Sequence, residues 1–492
     1  MHALDGVIVT RGNLDRKVER IRYDSRSVEP GDLFVAINGP DDRALGFVDD
    51  AIERGANVVV LDDPVHLPKK AGSTTFVLVR DARRAMAQAA GYLWDFPADS
   101  LEIYGVTGTN GKTTVAHILR NLLGTGDHPV GMIGTFGKTL DVTTPTGYTT
   151  PEAPELMEIF AEMRGAGITK VVMEVSSHAL ALDRVAGVRF AGAIFTNITQ
   201  DHLDFHTSFE DYFNAKKRLF DQLDTDATAV VNIDDVQGAG MARNCHARVL
   251  RYGHDETADI RIGSTELGPD GSSWVLTLSE ELGGGNLALQ SPLIGDFNIA
   301  NITAACTMAL VAGVEREELP RLVSGLESVP GRMQTLALGN GVSVVIDYAH
   351  TPDALENLLV AVKGFAADGN IVLVFGCGGD RDRTKRPVMG EIGARYADRL
   401  VLTSDNPRTE DPDAILDDIA RGIAAERSAV ERIPDREMAI QRALHEATPG
   451  TIVVIAGKGH ETYQVVGRER LPFDDRLVVQ NWIENNAVSD IN

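Results

Sequence analysis

The amino-acid sequence predicts an α/β protein built from three domains. Its 492 residues correspond to about three domains at roughly 150 residues each. A hydrophobic content of 43% and a charged content of 24% are typical of a chain that buries sizeable cores. Short apolar runs alternate with stretches of helical period, which indicates parallel sheets covered by helices.

Residues 1–98 are predicted to form a small α/β N-terminal domain. The apolar runs at 32–37 and 57–61 have the length of buried strands. A stretch of helical period begins near Asp81 and ends before the turn residues at 95–97. The first domain is therefore predicted to contain short strands and one clear helix.

Residues 99–331 are predicted to form a central domain of the phosphate-loop ATPase type. The strand-like LEIYGV begins at Leu101, and a glycine-rich loop follows it directly. Apolar residues then recur at helical spacing up to Gly124. Later apolar runs at 171–175, 193–197 and 229–233 fit buried parallel strands.

Residues 332–492 are predicted to form a Rossmann-like third domain. Thr351 is a plausible N-cap with Pro352 at the first helical position. The strand-like runs IVLVF, RLVLT and TIVVIA are each followed at once by a polar cluster, GCGGDRD, SDNPRTED and GKGHET. Because ligands bind beyond the carboxyl ends of parallel strands, these clusters are expected to share one rim of the sheet.

Charge and hydropathy exclude some classes of protein. The formal net charge of −24 repels polyanions, which argues against a nucleic acid as the main partner. No stretch reaches the roughly 18 apolar residues of a membrane span, and the first residues do not read as a secretory signal. The expected location is the cytoplasm. The three cysteines, Cys245, Cys306 and Cys377, lack metal spacings and are expected to be buried free thiols.

The loop at 107–114, TGTNGKTT, is the strongest chemical signal in the chain. Its glycines let backbone N–H groups approach phosphate oxygens, while Lys112 supplies a positive charge and Thr113 a hydroxyl for Mg²⁺. The usual spacing would place glycine at 106, where this chain has Val106. The loop therefore predicts binding of ATP or GTP by a variant phosphate loop. Its predicted nucleotide contacts are Gly108, Thr109, Asn110, Gly111, Lys112, Thr113 and Thr114.

The loop is followed, in this order, by TTP, EVSSHAL, FTNITQDHLDFH, AKKRLF, GDFNIAN, PGR and DYAHTP. Together with the loop, these motifs resemble those of the Mur ligases, the ATP-dependent amino-acid-adding enzymes of peptidoglycan synthesis. DSR at 24–26, GCGGDRD, DNPR and AGKGHE are similar to the branch that adds meso-diaminopimelate to UDP-N-acetylmuramoyl-L-alanyl-D-glutamate. The resemblance implies a UDP-sugar-binding first domain, an ATP-binding central domain, an amino-acid-binding third domain and a monomer.

The implied reaction has two steps. ATP phosphorylates a carboxylate, and an amine then attacks the acyl phosphate. This chemistry needs neutralised phosphates and excluded water more than a protein nucleophile. By resemblance, Lys112, Glu174, His202 and a carbamylated Lys216 are catalytic, with Thr113, Glu174, His202 and Lys216 at the magnesium ions.

Residue type alone leaves several of these roles open. Glu174 also reads as a charged residue that ends a strand at the surface. His202 and His206, four apart, invite a zinc interpretation, although Asp201 and Asp204 fit magnesium better. The resemblance implies a structural role for His206. From composition, Lys216 reads as a solvated helix lysine, and the adjacent Lys217 is the alternative for its role.

Further positions are implied by resemblance. Asn301, Arg332 and Asp347 match residues that contact ATP, while Asn298 also reads as an ordinary N-cap and His350 lies near the same seam. The positions that match contacts of the UDP-muramoyl dipeptide are Ser25, Thr149, Thr150, Ser176 and Arg184. Residues 39–47 depart from the family pattern, so uridine contacts there are not assigned.

The third domain is expected to select the amino acid. Diaminopimelate carries a second ammonium-and-carboxylate end, which needs a bidentate cation and an acceptor. Arg408 can supply the cation and Glu461 the acceptor. The full predicted set is Arg381, Asp405, Asn406, Pro407, Arg408, Gly457 and Glu461, against the alternative that strand-end loops are merely solvated.

Three alternatives remain at this point. The first is a lysine-adding form of the same ligase, and the second is a related ligase such as the folate polyglutamate type. The third is a phosphate-loop ATPase switch that uses its last domain for interaction. DNPR argues against the first and DSR against the second.

Overall fold

A computed structural model describes residues 4–37, 46–69, 72–124, 128–140, 142–268, 271–338, 341–366, 369–424 and 429–487. The predicted α/β class is confirmed, because parallel-rich sheets with packed helices run through all three thirds of the chain. The domain boundaries at 98/99 and 331/332 stay predictions. No helix within the described ranges is long and apolar enough to cross a membrane.

The first unit is a five-stranded sheet in its described part, in the order β1-β5-β4-β3-β2. Its elements are β1 (Val7–Arg11), β2 (Ile21–Arg22), β3 (Leu33–Val35), α1 (Phe47–Glu53), β4 (Val58–Leu61), β5 (Thr75–Val79) and α2 (Ala82–Leu93). The predicted helix begins as expected, since the Asp81 side chain accepts from Arg84 N and caps α2. Of the uncertain uridine segment, residues 39–45 lie outside the described residues.

The central unit is an eleven-stranded sheet across the described residues. Its order is β16-β15-β14-β13-β12-β11-β6-β10-β7-β8-β9. Its first elements are β6 (Glu102–Thr107), α3 (Lys112–Leu123), β7 (Val130–Gly134), β8 (Gly137–Thr139), β9 (Thr143–Thr144), α4 (Ala153–Gly165), β10 (Lys170–Glu174), α5 (Ser177–Ala181), β11 (Gly192–Phe195) and α6 (Phe209–Asp221). They continue with β12 (Thr228–Asn232), α7 (Gly238–Met241), β13 (Arg248–Gly253), β14 (Ile260–Gly268), β15 (Gly271–Leu278), β16 (Asn286–Ser291), α8 (Asp296–Val311) and α9 (Leu319–Ser324).

The parallel middle of this sheet positions the phosphate loop. Strands β7, β10, β6, β11, β12 and β13 run parallel, and all except β13 are buried along most of their length. Helix α3 packs its apolar face on this sheet and ends before Gly124, as the spacing predicts. The antiparallel meander β14-β15-β16 extends the sheet in a segment for which the sequence prediction named no strands.

The third unit is a six-stranded sheet, counted over its described residues, in the order β17-β18-β22-β19-β20-β21. Its elements are β17 (Gln334–Ala337), β18 (Ser343–Asp347), α10 (Pro352–Phe365), β19 (Ile371–Phe375), α11 (Lys385–Tyr396), β20 (Arg399–Leu402), α12 (Pro412–Ala420), β21 (Ala429–Arg432), α13 (Arg436–Glu446), β22 (Ile452–Ala456), a separate hairpin of β23 (Tyr463–Val466) and β24 (Glu469–Pro472), and α14 (Asp475–Ala487). Thr351 caps α10 as predicted, with Ala354 N donating to its hydroxyl.

The polar clusters of the third unit share one rim, as expected. The strand order reverses beside β22, which pairs in parallel with both β18 and β19. The loops that follow these strands are in contact, since Gly457 N donates to Asp347 O and a Cβ at Gly376 would lie 1.9 Å from Thr403 O. Such a reversal point is where open α/β sheets bind ligands.

The cysteines are free thiols, as expected. Cys306 and Cys377 are buried, and burial raises the pKa of each to about 12. Cys245 is only partly buried, so the expectation of full burial is wrong there, because it lies in an exposed turn after α7.

Candidate active site

The phosphate loop lies between β6 and α3 and needs its glycines. Gly108 and Gly111 have φ angles of +154° and +84°. A Cβ at Gly108 would lie 1.9 Å from Thr196 Oγ1, and one at Gly111 would lie 2.5 Å from Asn301 Oδ1. Lys112 Nζ donates to Gly108 O and Thr109 O, both at 2.9 Å. The loop is thus tightly packed, with the lysine and the N-terminus of α3 at the same place.

The hydroxyl of Thr113 hydrogen-bonds to the carboxylate of Glu174. Thr113 Oγ1 donates to Glu174 Oε2 at 2.9 Å, and Glu174 is only 1% exposed at the end of β10. Thr135, which the sequence prediction missed, donates its backbone N–H to Glu174 Oε1 at 2.8 Å. The alternative that Glu174 is a surface charge is therefore wrong, because its carboxylate is buried beside the loop. Thr114 follows, buried in the first turn of α3.

Asp201 and His202 lie on the loop after β11. His202 N donates to Asp201 Oδ1 at 2.9 Å, and His202 Nε2 lies 3.5 Å from Asp201 Oδ2. Burial lowers the pKa of His202 to about 3, so its imidazole is neutral. Burial opposes ionisation of Asp201, but the charge of Lys385 and the backbone N–H of His202 favour the ionised form, and the pKa of that carboxyl is lowered. A neutral imidazole beside a carboxylate is a combination that can hold a metal.

His206 does not form a metal cluster with His202 in this arrangement. His206 is buried with Nδ1 3.5 Å from Asp211 Oδ2, and its ring packs near Tyr212. The ring of His178, which the sequence prediction missed, lies 4.9 Å from that of His202. Among the residues that the structure describes, no group of three or more His, Cys, Asp or Glu side chains is arranged to hold a metal, so nothing supports the zinc interpretation.

Lys216 is buried under the phosphate loop. It is 1% exposed in α6, and its Nζ donates to Gly108 O at 2.7 Å, with the Tyr212 ring 4.5 Å away. Burial and the charge of Lys112 lower the pKa of Lys216 well below its usual range. The solvated-lysine interpretation is therefore wrong for Lys216. Lys217 instead pairs with Asp221 and donates to Arg243 O, away from the loop.

The third unit contacts this loop directly. Arg332 Nη2 donates to Thr113 Oγ1 at 3.2 Å, and Asn110 Nδ2 donates to Asp353 Oδ2 at 2.8 Å. The Arg332 guanidinium stacks on Tyr348, 4.4 Å from the ring centre. His350 Nε2 approaches Asp201 Oδ2 at 4.0 Å. The phosphate loop is therefore shared between two units of the chain.

Asp347 and Asn301, two of the residues predicted to bind the nucleotide, are each held by contacts with nearby residues of the protein. The carboxylate of Asp347 accepts from Met333 N and Ala349 N, at 2.7 and 2.8 Å. Asn301 lies against Gly111, and its Nδ2 is 3.4 Å from Asn298 Oδ1. The N-cap interpretation of Asn298 is wrong, because Gly295 caps α8 and Asn298 donates to Ile294 O.

Four predicted dipeptide residues form one cluster beside the Glu174 strand. Thr150 Oγ1 donates to Glu174 O at 2.9 Å and accepts from Ser176 N, while Ser176 Oγ caps α5. Arg184 Nη1 donates to Thr150 O, Nη2 lies 2.9 Å from Glu152 Oε1, and the guanidinium stacks on Tyr148. Thr149 Oγ1 lies 3.4 Å from the Thr135 hydroxyl. The sequence prediction missed Glu152 and Tyr148.

The fifth predicted dipeptide residue lies in the first unit. Ser25 is buried in a short 3₁₀ turn, Ser25–Ser27. Its hydroxyl hydrogen-bonds the Asp50 carboxylate and, together with Arg54, lowers the pKa of that carboxyl. The contacts of Ser25 thus stay within its own unit.

The predicted amino-acid residues come together at the rim of the third sheet. Asn406 Nδ2 donates to Glu461 Oε2 at 2.9 Å. Arg408, at φ +51°, donates from Nη1 to Gly379 O at 2.8 Å, and burial lowers the pKa of its guanidinium. A Cβ at Gly457 would lie 3.0 Å from Asp405 Oδ2. The solvated-loop alternative is wrong for these loops, because they are packed against each other.

The remaining predicted residues border this cluster. A Cβ at Gly379 would lie 1.9 Å from Pro407 O, so the GCGGDRD and DNPR loops touch there. Arg381 is half-exposed and lies 3.6 Å from Asp204 of the central unit. The loops thus reach from the amino-acid residues back towards the segment that carries His202.

Supporting residues that the sequence prediction missed hold these loops. Arg436, fully buried, pairs with Asp475 at 2.8 Å and donates to Ser404 O and Ala456 O, the carbonyls just before two of the loops. Lys458 is also fully buried, beside Asn406 and Glu461. Gln464 on β23 donates to Asp405 O at 2.7 Å. The available signal was the position of Lys458 inside AGKGHE, but a loop lysine reads as solvated.

The fold and site define a nucleotide-binding α/β enzyme whose phosphate loop is completed by its last unit. The description "Mur ligase middle domain" matches residues 106–309, and "Mur ligase, glutamate ligase domain" matches residues 331–459. The chain belongs to the Mur ligase family and is an ATP-dependent, amide-bond-forming ligase.

Similar proteins cover nearly the whole chain. The UDP-N-acetylmuramoyl-L-alanyl-D-glutamate–2,6-diaminopimelate ligase of Geobacillus thermodenitrificans is 41% identical over 484 residues, 97% of each chain. The ligase of the same name from Gloeobacter violaceus is 44% identical over 469 residues, 95% of this chain and 94% of its own. A solved structure with that name is 34% identical, covers 97% of this chain and 98% of its own, and superposes with a TM-score of 0.68.

Proposed function

We propose that this protein joins meso-diaminopimelate to UDP-N-acetylmuramoyl-L-alanyl-D-glutamate in peptidoglycan synthesis, and that ATP is converted to ADP and phosphate by way of an acyl phosphate. The observation that carries the proposal is the contact between the central unit and the third unit. Arg332 donates to Thr113 of the phosphate loop, and the same unit presents Arg408 and Glu461 at its rim. The names of the similar ligases support this choice of substrates.

The phosphate loop binds ATP in this proposal. Gly108 and Gly111 allow backbone N–H groups to reach phosphate oxygens, and Lys112 neutralises charge on the terminal phosphates. Arg332 adds a second cation at the same place from the third unit. These groups stabilise the charge that spreads over the transferred phosphoryl group.

The residues present fit magnesium. Thr113 Oγ1 and Glu174 Oε2 lie 2.9 Å apart beside the loop, and both are hard oxygen donors of the kind that Mg²⁺ prefers. His202 is neutral and therefore able to ligate. When bound, the metal supplies neutralisation of phosphate charge. A carbamylated Lys216 is part of this proposal, since burial lowers the pKa of its amine and only the uncharged amine reacts with carbon dioxide.

The dipeptide carboxylate is held by the cluster of Thr149, Thr150, Ser176 and Arg184. Arg184 reaches it as a cation already oriented by Glu152, and Thr150 is fixed by the carbonyl of Glu174. A carboxylate held there lies next to the strand that carries the metal-binding Glu174. The first unit, with Ser25, binds the uridine diphosphate end.

The third unit brings the amine. Arg408 binds the distal carboxylate of diaminopimelate, and Glu461 accepts from its ammonium. Contact between the units excludes water from the acyl phosphate, whose hydrolysis would otherwise waste ATP. All of these groups lie on one chain, so we propose a monomer, acting in the cytoplasm, where ATP is available.

The proposal is tested by measuring ADP formation with each combination of substrates. Steady-state formation of ADP should require both the UDP-muramoyl dipeptide and meso-diaminopimelate, and the product should gain the mass of one diaminopimelate residue. Lysine should replace diaminopimelate poorly. Equal rates with lysine would indicate the lysine-adding form, and ADP formation without either substrate would indicate an ATPase switch.

A further inference from the structure

A buried ammonium group lies inside the amino-acid loops. The Lys458 side chain is 0% exposed, although it follows β22 in a loop. Its Nζ donates to Glu461 Oε2 at 2.8 Å and to Asn406 Oδ1 at 3.1 Å, and lies 3.8 Å from Asp405 Oδ1. Burying a cation costs free energy unless acceptors replace its water. Here three acceptors from two loops do so.

Lys458 also orients the Glu461 carboxylate. Glu461 Oε2 accepts from both Lys458 Nζ and Asn406 Nδ2, at 2.8 and 2.9 Å. Within the described part of the chain, no side chain or backbone N–H donates to Oε1. Because one oxygen is saturated, the other is left for an incoming ammonium. Glu461 is 15% exposed, so this oxygen belongs to a mostly desolvated group.

The charges of this cluster cancel. Asp405 and Glu461 are negative, while Lys458 and Arg408 are positive, so the formal sum is zero. The neighbouring Arg381 is satisfied separately, 3.6 Å from Asp204. A site with no net charge suits a ligand end that carries one ammonium and one carboxylate. A lone ammonium, like that of a lysine side chain, would add one uncompensated charge to a partly buried site.

We propose that Lys458 is a specificity-determining positioning residue. It leaves one oxygen of Glu461 open and balances the two carboxylates of the loops, so that the site takes a zwitterionic end in preference to a lone ammonium. Lys458 acts through Glu461 and touches no reacting atom. The inference rests on the proposed function, because it concerns how the same site selects its amino acid.

Replacing Lys458 with Met tests this role, since Met keeps an unbranched side chain of similar length and removes the charge. We expect the ratio of kcat/KM for meso-diaminopimelate to that for lysine to fall roughly 10- to 100-fold. The change should lie in the KM for diaminopimelate, with kcat and the KM for ATP within about twofold of wild type. An unchanged ratio, or a loss confined to kcat, would overturn the proposal.

Lys170→Met is the matched control. Lys170 also donates to a carbonyl, Ala312 O at 2.8 Å, and lies near a carboxylate, Glu102 Oε2 at 3.7 Å. It stands at the opposite, N-terminal end of a strand in the central unit. Its replacement should leave the discrimination between the two amino acids unchanged.

A double-mutant cycle separates positioning from packing. If Lys458 acts through Glu461, Lys458→Met should cost little more discrimination in the Glu461→Gln background. Independent, additive effects would contradict the proposal. Lys458→Gln, which keeps a donor but not the charge, covers the case in which Lys458→Met does not fold. Failure of both variants to fold would assign Lys458 a purely structural role and overturn the proposal.

Measurements on the wild-type enzyme distinguish a failure of the proposed function from a failure of the proposed role of Lys458. No diaminopimelate-dependent ADP formation in the wild type would defeat the proposed function itself. Normal diaminopimelate-dependent activity in the wild type, with unaltered discrimination in Lys458→Met, would defeat only the role of Lys458.

Discussion

The phosphate loop and the amino-acid loops are built in opposite ways. The phosphate loop is one continuous segment, 107–114, and Lys112 donates to two carbonyls within it, Gly108 O and Thr109 O. The amino-acid site draws on loops after three strands and on the hairpin β23-β24. One region is therefore local and the other depends on tertiary pairing, which suits a shared nucleotide chemistry beside a variable choice of amino acid.

The two regions also differ in what orients their carboxylates. Glu174 accepts from a backbone N–H and from two hydroxyls beside the loop. Glu461 accepts only from side chains in the described structure, those of Lys458 and Asn406. Single substitutions at Lys458 or Glu461 should therefore disturb recognition of the amino acid while leaving nucleotide binding intact.

The largest expected effect lies beneath the amino-acid loops, at Arg436. Arg436→Ala leaves Asp475 as an unpaired buried charge, and should lower the free energy of unfolding by about 3–5 kcal/mol. Arg442→Ala, on the same helix but exposed, should cost at most about 1 kcal/mol. Chemical denaturation measures both. Equal losses in the two variants would show that the loops do not depend on the buried pair.

The next effect lies beneath the phosphate loop and uses two adjacent lysines. Lys216→Ala should lower kcat by roughly 10²- to 10³-fold, because a buried group at the reacting phosphate is lost. Short-chain carboxylic acids should restore part of the activity if the lysine works as a carbamate. Lys217→Ala should change kcat little, since Lys217 pairs with Asp221 and donates to Arg243 O. Intact activity in Lys216→Ala would remove Lys216 from the site.

A smaller effect is expected at Arg408. Arg408→Ala should weaken use of diaminopimelate by about 2 kcal/mol, or roughly 30-fold in kcat/KM, because a carboxylate loses its charged partner. The KM for ATP should not change. Arg383→Ala, an exposed arginine paired with Glu410 on the same rim, is the control. If steady-state kinetics gave the same kcat/KM for both variants, the specificity assignment would be wrong.

The smallest effect concerns acid stability at the contact between the units. Burial lowers the pKa of His117 to about 4 and that of His460 to about 3, and both rings pack on Phe136. The unfolded chain binds protons at about pH 6.5, so the stability from each neutral ring is present above that pH and is lost as the pH falls. Between about pH 7 and 5.5 each should cost about 1 kcal/mol.

Denaturation at the two pH values checks this expectation. His117→Gln and His460→Gln should each flatten the pH dependence by the contribution of one ring, about 1 kcal/mol between these two pH values. His246→Gln, whose ring lies outside this contact, is the control. Unaltered pH dependence in both test variants would contradict the assigned protonation states.

The sequence predicted the local parts of the structure well. The phosphate loop, the strands that flank it and the capped helix at Thr351 follow from glycine positions, apolar runs and capping residues, which are local properties. The antiparallel meander and the hairpin β23-β24 were not predicted. Strands β15 and β16 alternate buried residues with less buried ones, and β24 is exposed throughout, so none of them forms the continuous apolar run that marks the parallel strands.

At the site, the burial of polar residues was the property that could least be predicted from the sequence. Lys216 read as solvated from its neighbours in sequence, yet it is buried, because the distant Gly108 carbonyl accepts from it, and Lys458, for which no role was predicted, is buried beside Asn406 and Glu461. Thr135 and Arg436 carry no motif, and only the fold places them at Glu174 and beneath the loops. Asn298 read as a cap, but the N-cap position is Gly295 and the helix begins at Asp296.

The fate of a carboxylate oxygen of the dipeptide tests most directly the central claim, that ATP phosphorylates this carboxylate before the amine attacks. The UDP-muramoyl dipeptide is labelled with oxygen-18 in the D-glutamate γ-carboxylate and allowed to react with ATP and meso-diaminopimelate. If the carboxylate is phosphorylated before the amine attacks, one labelled oxygen must appear in the inorganic phosphate for each amide bond formed. Inorganic phosphate without label, at a normal yield of product, would contradict the account.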